Sequence, residues 1–487
     1  MSFLQRGWKA AGIVLLAAAV TIAGCGKSGG SGEASPSGSS GASSTPSASA
    51  SQSQTPAKEK VVIEVWTNSR HDKDVREAMV KKFNETNDKN IQIDYKIFTD
   101  NYNDQLKLAL NSGQLPDLIY NFPSSLSDAK IAMDLTPYIT PEMKARFSPA
   151  AFNPPPWVGG IEAVLENATT FKLVYNKDLF RASGLDPEKP PATWDEMRQY
   201  AKTITEKGGG KKFGLGLPLK QTVFWNYYVI VPAALSGDNL GRNGFDATKG
   251  EYDFSKYAKY IQWWIDVNKD GSIFPGIGTY DNDMIRAQFS EGNVGMLSAA
   301  TWDIGVFNDQ FPAKIDWGVA DFPTWDGKAG GGVPYETGNG WNINKDTKHP
   351  EEAKAVWEFF LSDEMFVELA KKGLGSYTNL AAQDKSIQPT DRKGVTGFLI
   401  NDKSKDYPFS PKLDYSLVNP PPKVGNIDVG AGAAIFDAMN QAFLTGKDID
   451  KQMKELGDAY NQILKANVDA GKVDMNKYVV KDFNPLN

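Results

Sequence analysis

Residues 60–98 read "KVVIEVWTNSRHDKDVREAMVKKFNETNDKNIQIDYKIF" and contain two kinds of hydrophobic pattern. The opening "KVVIEVW" is a short run rich in β-branched residues, which favours a buried strand. Val75, Met79, Val80 and Phe83 then recur at helical spacing, with charged residues on the opposite face. The closing "IQIDYKIF" alternates between apolar and polar residues, as a strand does. The stretch therefore predicts a strand, a helix and a strand in succession.

The same alternation continues along the chain. Leu106, Ala109 and Leu110 indicate another helix, and "PDLIY" indicates a third strand. Further on, "FKLVYN" predicts a strand, "TWDEMRQYAKTITEKGGG" a helix capped by Thr193, and "HPEEAKAVWEFFLS" a helix that begins at Pro350. Strands that alternate with helices are typical of α/β domains with a largely parallel sheet. The sequence therefore predicts the α/β fold class.

Cys25 is the only cysteine among the 487 residues. Arg6 and Lys9 precede an apolar run, and small residues follow the run up to the cysteine. The run is roughly a dozen residues, shorter than the ~20 that a membrane-spanning helix needs. This layout is typical of a secretory signal peptide, which we assign to residues 1–24. The ending "IAGC" resembles the lipobox of bacterial lipoproteins, which implies that Cys25 is lipidated and begins the mature chain. The alternative is an ordinary signal peptide with an incidental cysteine.

Residues 25–57 are dominated by Ser, Gly, Ala, Pro, Thr and Gln, so they cannot bury apolar surface and are predicted to form a disordered tether. The remaining 430 residues have the composition of a soluble globular protein. The formal charge of −6 becomes −8 when Arg6 and Lys9 are removed with the signal peptide. An acidic chain argues against nucleic acid as a partner.

Six segments, in order, resemble bacterial extracellular solute-binding proteins of the sugar-uptake type, the family that includes maltose-binding protein. They are "IEVWTNSRHDKDVREAMVKKFNET", "GQLPDLIYN", "FKLVYNKDLFRASGLDPEKPPATWDEM", "FSEGNVGMLSAATWDI", "GWNINKDTKHPEEAKAVWEFFLSDE" and "GKDIDKQMKELGDAYNQIL". The ordered set spans nearly the whole chain after the tether and is more specific than any one segment. A lipid anchor followed by a tether agrees with this resemblance.

The resemblance implies a two-lobed periplasmic-binding-protein fold with a hinge and a ligand cleft between the lobes. We expect residues 58–165 and 323–361 to form the N-terminal lobe, and residues 166–322 and 362–487 the C-terminal lobe. The chain should cross between the lobes near Leu165–Thr170, Val319–Pro323 and Leu361–Met365. The implied function is that of a monomeric, membrane-anchored, extracytoplasmic receptor. It is expected to close around a carbohydrate, an oligosaccharide in size, and to deliver it to an ABC-transporter permease.

Sugars present apolar C–H faces and rings of hydroxyls, so their sites combine flat aromatic side chains with amides and carboxylates. Trp302, in "SAATWDI", matches the position at which the family stacks a tryptophan on its ligand. The alternative is a core tryptophan. Asp303 is a candidate hydroxyl acceptor, or an exposed acid at a helix start. Trp225 and Tyr228, in "FWNYY", are candidate aromatic contacts, or core residues.

The first lobe should contribute polar residues at the strand exits, where α/β sheets bind ligands. The candidates there are Asn68, Arg70, His71 and Asn121, with a solvated salt bridge as the alternative for Arg70 and a helix-start role for His71. Glu166 and Asn167 are candidates beside the first crossing, and Glu336 and Asn339 are candidates in the glycine-broken segment "PYETGNGW". The small residues in "IDVGAGAAIF" stand where maltose-binding protein has a stacking aromatic, which argues against a maltodextrin ligand.

"DVNKDGSIFPG" begins like a calcium loop, with oxygen ligands at Asp266, Asn268 and Asp270. Its twelfth position is Ile277, where an EF-hand requires a bidentate Glu, so we expect a helix-end turn and no cofactor. Two histidines and one cysteine do not support a zinc or Cys–His centre. Two functional alternatives stay open at this point. One is a tethered carbohydrate-active enzyme with a carboxylate pair, and the other is a ligand-sensing subunit of a signalling system.

Overall fold

The computed structural model describes residues 60–98, 101–122, 130–152, 160–238, 244–389, 391–400, 404–406, 423–424, 427–428 and 434–484. The predicted signal peptide, Cys25 and the tether lie outside the described residues. The described chain has two large sheets, each with its own hydrophobic core, and we call the two parts the first lobe and the second lobe.

The first lobe contains a four-stranded sheet in the order Trp341–Ile343, Leu118–Tyr120, Val61–Thr67, Ile91–Ile97. Val61–Thr67 is parallel to both of its neighbours, as the alternation of strands and helices predicted, whereas Trp341–Ile343 is antiparallel. The α-helices of this lobe are Lys73–Thr86, Tyr102–Ser112, Pro141–Ala145, Pro350–Phe360 and Asp363–Lys371. Ile63 and Val65 are fully buried because alternate residues of the central strand face the same helices.

The second lobe contains a larger mixed sheet in which Asn167–Asn176 is central. This strand pairs with Val294–Ala300, Trp317–Ala320 and Val333–Gly338, and the sheet continues to Phe213–Leu215 and Ser404–Asp406. The α-helices are Lys177–Ala182, Trp194–Lys207, Val231–Leu235, Ala258–Lys269, Asn282–Ser290, Asp303–Gly305, Val395–Phe398, Ala434–Thr445 and Ile449–Asp469. Two short strand pairs join Phe245–Asp246 to Glu251–Tyr252 and Lys423–Val424 to Ile427–Asp428. Thr193 and Glu196 form a capping box, so the helix Trp194–Lys207 begins directly after Thr193.

The chain passes between the lobes first at Glu166–Asn167, where the central strand of the second lobe begins. The second crossing was predicted near Val319–Pro323, and this was wrong. Strand Val333–Gly338 still pairs with Asn167–Asn176, so the chain returns to the first lobe only between Gly338 and Trp341.

The third crossing was predicted near Leu361–Met365, and this was also wrong. The helix Asp363–Lys371 packs in the first-lobe core through Phe366 and Leu369, and the chain stays in that core as far as Ala382. The next core residue, Val395, belongs to the second lobe. The boundaries at residues 323 and 362 are therefore corrected to the regions 338–341 and 382–395.

Within the described ranges, no helix is both long enough and apolar enough to span a bilayer.

Candidate ligand-binding site between the lobes

The first two crossings and the first-lobe segment at residues 376–378 are hydrogen-bonded to one another at Glu166 and Asn167. The backbone N–H of Glu166 donates to the carbonyl of Asn339 at 2.8 Å, and its carbonyl accepts from the N–H of Thr378 at 2.8 Å. Asn167 pairs with both Gly338 and Tyr377. Two of the three crossings therefore share one small region with this segment, so a group that binds there contacts both lobes and the hinge.

A cavity of about 170 Å³ lies at this junction, with walls from both lobes. Its lining residues are Asn68, Ser69, His71, Tyr120, Asn121, Asn167, Thr169, Thr301, Trp302, Asn339, Leu374, Gly375, Ser376 and Tyr377. Six of the residues predicted from the sequence are in this set: Asn68, His71, Asn121, Asn167, Trp302 and Asn339. Among the described residues that line the cavity, none is Lys, Arg, Asp or Glu.

Four asparagines give the cavity its polar character. Asn68 and Asn121 follow strands of the first lobe, whereas Asn167 and Asn339 belong to the first two crossings. Asn121 and Asn339 both have a φ of 54°, in the left-handed region that asparagine tolerates better than most residues. The amide of Asn167 donates to the hydroxyl of Tyr120 at 3.2 Å, which fixes its orientation at the cavity floor. Amides both donate and accept hydrogen bonds, so this set suits an uncharged ligand rich in hydroxyls.

Trp302 forms an aromatic wall of the cavity. It follows strand Val294–Ala300, is half-buried, and its ring meets Phe171 edge-on at a centroid distance of 5.8 Å. Tyr227 contacts Trp302 at 6.3 Å and stacks on Phe171 at 4.7 Å, so second-lobe aromatics hold the indole. A supported, partly exposed indole offers the flat surface on which an apolar ligand face is buried.

His71 and Ser69 lie on the first-lobe side of the cavity. The Ser69 hydroxyl donates to Asp72 at 2.7 Å and lies 3.4 Å from Nδ1 of His71. A Cβ atom placed on Gly305 of the second lobe would be 3.7 Å from the Cβ of His71, so the two lobes approach each other here to within about the width of a methyl group. The lobes therefore meet beside the cavity, in an arrangement that encloses a bound molecule.

Arg70 was predicted to contact the ligand, but it lies at the rim. Its guanidinium pairs with Asp283 of the second-lobe helix Asn282–Ser290 at 2.9 Å, and both side chains are largely exposed. Arg70 also lines a second interlobe cavity of about 510 Å³, which shares His71 and Leu374 with the first. The structure thus shows the alternative given for Arg70, a solvated salt bridge, and this salt bridge joins the two lobes.

Glu166 was predicted as a ligand-binding acid, but its side chain is fully buried in an ion-pair cluster. Arg76, also fully buried, donates to Glu166 at 2.9 Å and to Asp72 at 2.6 Å. The guanidinium also lies over the rings of Tyr120 and Trp341, at 5.5 and 5.6 Å from their centroids. Glu166 therefore anchors the first crossing to the first lobe, and this placement replaces the predicted ligand contact.

The two carboxylates of this cluster have different pKa values. Burial raises the pKa of Glu166 to about 7, against the lowering effect of Arg76. Burial acts in the same direction on Asp72, but Arg76, His71 and Ser69 outweigh it and lower the pKa of Asp72 to about 2. One guanidinium cannot fully compensate two buried carboxylates, so Glu166 holds a proton up to near-neutral pH.

Asp303, predicted as a hydroxyl acceptor, is likewise buried. Its carboxylate pairs with Arg286 at 2.6 Å and accepts a hydrogen bond from the N–H of Ala300 at 2.7 Å. Burial raises the pKa of Asp303, and Arg286 opposes the shift. Asp303 therefore supports the end of strand Val294–Ala300. Arg286 also pairs with Asp283 at 2.9 Å, and this pair links Asp303 through Asp283 to Arg70.

The aromatic predictions at Trp225 and Tyr228 are corrected to core positions. Trp225 is fully buried against Phe443 at a centroid distance of 5.3 Å, and Tyr228 packs on Trp264 at 5.4 Å. The backbone of Glu336 pairs with that of Thr169 in the second-lobe sheet, and its side chain lies outside what the structure describes.

Ser376 and Tyr377 line the cavity and were missed by sequence reasoning. They lie in a short loop, "GSYT", without an aromatic or amide cluster that would mark it. Their link to the site is the pairing of Tyr377 with Asn167 at the first crossing, which only the folded structure shows.

The residues of the calcium-like loop bind an arginine. Arg198 donates to Asp270 at 2.6 and 3.1 Å and to Asp266 at 3.5 Å. Among the described residues, no group of three acids, histidines or cysteines is placed to hold a metal ion.

The sequence profile of the bacterial extracellular solute-binding proteins matches residues 68–365. A binding protein of Brucella abortus is 29% identical over 231 residues, which are 47% of this chain and 53% of that protein. The chain thus spans about half the length of the curated relatives it matches.

Two solved structures have a similar fold. One, from work on xylan utilization by the thermophilic bacterium Caldanaerobius polysaccharolyticus, has a TM-score of 0.66 and 19% identity, covering 82% of this chain and all of that one. The other, an ABC-transporter solute-binding protein of Thermotoga lettingae bound with α-D-tagatose, has a TM-score of 0.63 and 18% identity, covering 84% of this chain and 100% of that one. Together with the profile match, the two lobes and the interlobe cavity lead to one conclusion: the chain belongs to the bacterial extracellular solute-binding protein family.

Proposed function

We propose that this protein captures a carbohydrate in the interlobe cavity by closure of its lobes and delivers it to the permease of an ABC transporter. The observation that carries the proposal is the cavity itself, where four asparagines and the half-buried Trp302 surround the point at which the first two crossings meet. Amides match hydroxyl groups and an indole matches the apolar face of a sugar ring. The tagatose complex of the Thermotoga lettingae protein supports the same ligand class.

The proposal includes a monomer that is held at the membrane by a lipid on Cys25. The support is the run of small residues before the single cysteine and the Ser-rich segment after it. Such a tether would let the two lobes reach a membrane permease while the protein stays on the extracytoplasmic side.

The proposal assigns no catalysis to the protein. A glycosidase needs two carboxyl groups beside its substrate. The two acids expected nearest the cavity, Glu166 and Asp303, are held by Arg76 and Arg286. Both of these carboxyl groups have structural roles, which favours a binding protein over a carbohydrate-active enzyme.

The test combines calorimetry, thermal melting and product analysis on the purified protein with a panel of monosaccharides and oligosaccharides. We expect saturable binding of at least one carbohydrate, a higher melting temperature in its presence, and an unchanged sugar afterwards. Turnover of the bound sugar would support the enzyme alternative, and absence of binding across the panel would contradict the carbohydrate assignment.

A further inference from the structure

The first-lobe segment at residues 376–378, which pairs with the first crossing, contributes two hydroxyl groups to the cavity wall. Ser376 and Tyr377 both line the cavity, and their side chains are more than nine-tenths buried, at 8% and 2% exposure. Neither Oγ of Ser376 nor the hydroxyl of Tyr377 has a hydrogen-bond partner among the described residues. A buried polar group without a partner is costly, and native proteins leave few of them.

The backbone of the same segment forms two hydrogen bonds with the first crossing. The carbonyl of Ser376 accepts from the N–H of Ala168 at 3.0 Å, and the N–H of Thr378 donates to the carbonyl of Glu166 at 2.8 Å. The side chains of the segment are thus available to a molecule in the cavity while its backbone is fixed to the hinge. A ligand hydroxyl that is hydrogen-bonded to Ser376 or Tyr377 would therefore be linked to the hinge through the backbone of this segment.

The charged residues nearest the cavity are already paired within the protein. Arg70 pairs with Asp283, Glu166 with Arg76 and Asp303 with Arg286. Apart from the imidazole of His71, the described lining offers no side chain that could supply an opposite charge to an anionic ligand, which would lose its hydration in the cavity. The side chains that remain to bind a ligand are therefore hydroxyls, amides, aromatic rings and this imidazole.

We propose that Ser376 and Tyr377 are ligand-binding residues whose hydroxyls hydrogen-bond an uncharged sugar, and that through their segment the first crossing senses occupancy of the cavity. This inference rests on the proposed function, because it concerns the same cavity. It adds two contacts and predicts that a neutral carbohydrate binds more tightly than its phosphorylated or uronic-acid analogue, because His71 is the one basic side chain in the described lining.

The test compares Ser376→Ala and Tyr377→Phe with two control variants. Ser272→Ala and Tyr257→Phe remove hydroxyls that are equally buried and equally without a partner among the described residues, but neither residue lines the cavity. Affinity is measured by calorimetry for the tightest neutral sugar of the panel and for its phosphorylated and uronic-acid analogues. Thermal melting of the unliganded proteins reports on folding.

We expect each cavity variant to bind the neutral sugar about 2- to 12-fold more weakly, the range for one net hydrogen bond. Its melting temperature should stay at or above the wild-type value, and both controls should bind normally. Wild-type affinity in both cavity variants would overturn the inference, as would a loss that the controls share. Binding of a charged analogue as tight as that of the neutral sugar would also overturn it. Failure of the wild-type protein to bind any carbohydrate would contradict the proposed function itself, which is a different result.

Discussion

Glu166→Gln should remove a pH dependence of stability that originates at the hinge. In the native protein the Glu166 carboxyl is fully buried beside Arg76, which also pairs with Asp72. Glutamine has nearly the shape of a protonated glutamic acid and keeps an oxygen that accepts from Arg76. The variant leaves Arg76 and Asp72 as a neutral pair, so no charge is left buried without a partner.

The size of the effect follows from the pKa of Glu166, which burial raises from 4.5 to about 7. Between these values the folded protein holds a proton that the unfolded chain has released, so the free energy of unfolding falls as pH rises. A difference of this size corresponds to on the order of 3 kcal/mol, present in full below about pH 4.5 and lost by about pH 7. Asp72 acts separately and oppositely, because Arg76 lowers its pKa to about 2 and its contribution is lost only as the pH falls towards that value.

Urea unfolding of the wild-type and Glu166→Gln proteins at several pH values between about 5 and 8 measures this effect. We expect the variant to gain stability relative to the wild-type protein as the pH increases. The control is Glu364→Gln, which alters an exposed acid paired with Lys82 within the first lobe and should give a difference nearly independent of pH. If the difference between Glu166→Gln and wild type is also constant over this range, the carboxyl is not the buried, proton-holding group that the structure indicates.

Three further predictions concern the site, the rim and the anchor. Trp302→Ala should weaken sugar binding by about 1–3 kcal/mol with little loss of stability, whereas Trp225→Ala should lower the unfolding free energy by about 3–5 kcal/mol. Calorimetry and thermal melting of both variants distinguish a cavity residue from a core residue. Wild-type affinity in Trp302→Ala would contradict its assignment to the cavity wall. Arg70→Gln and Asp283→Asn should each weaken binding by about 0.2–1 kcal/mol, because the exposed pair joins the lobes that close on the ligand. If a double-mutant cycle of ligand affinity shows no coupling between the two substitutions, that role is contradicted. Cys25→Ser should move the protein from the membrane to the soluble fraction of cells, and equal membrane retention would contradict the lipid anchor.

The fold class followed from the sequence because it depends on local patterns. The strand at Val61–Thr67 and the helix at Lys73–Thr86 occur where the periodicity predicted them, and the comparisons confirm the two-lobed architecture. The lobe boundaries did not follow in the same way. Strand Val333–Gly338 and helix Asp363–Lys371 have ordinary local patterns, and only their partners in space assign them to the second and first lobe, respectively.

The candidate site likewise has residues that the sequence predicted and residues whose role only the folded structure decides. Asn68, Asn121 and Asn339 were found from the sequence because they directly follow strands or glycines, and chain direction alone brings such residues to the cleft. The sequence also determined that acids, amides and aromatics stand near the hinge. It could not determine which of them are free to bind a ligand, because a carboxylate such as Glu166 is engaged by Arg76, 90 positions earlier in the chain. Only the tertiary structure decides this, since the energy of a buried charge depends on the partners that folding places within a few ångströms.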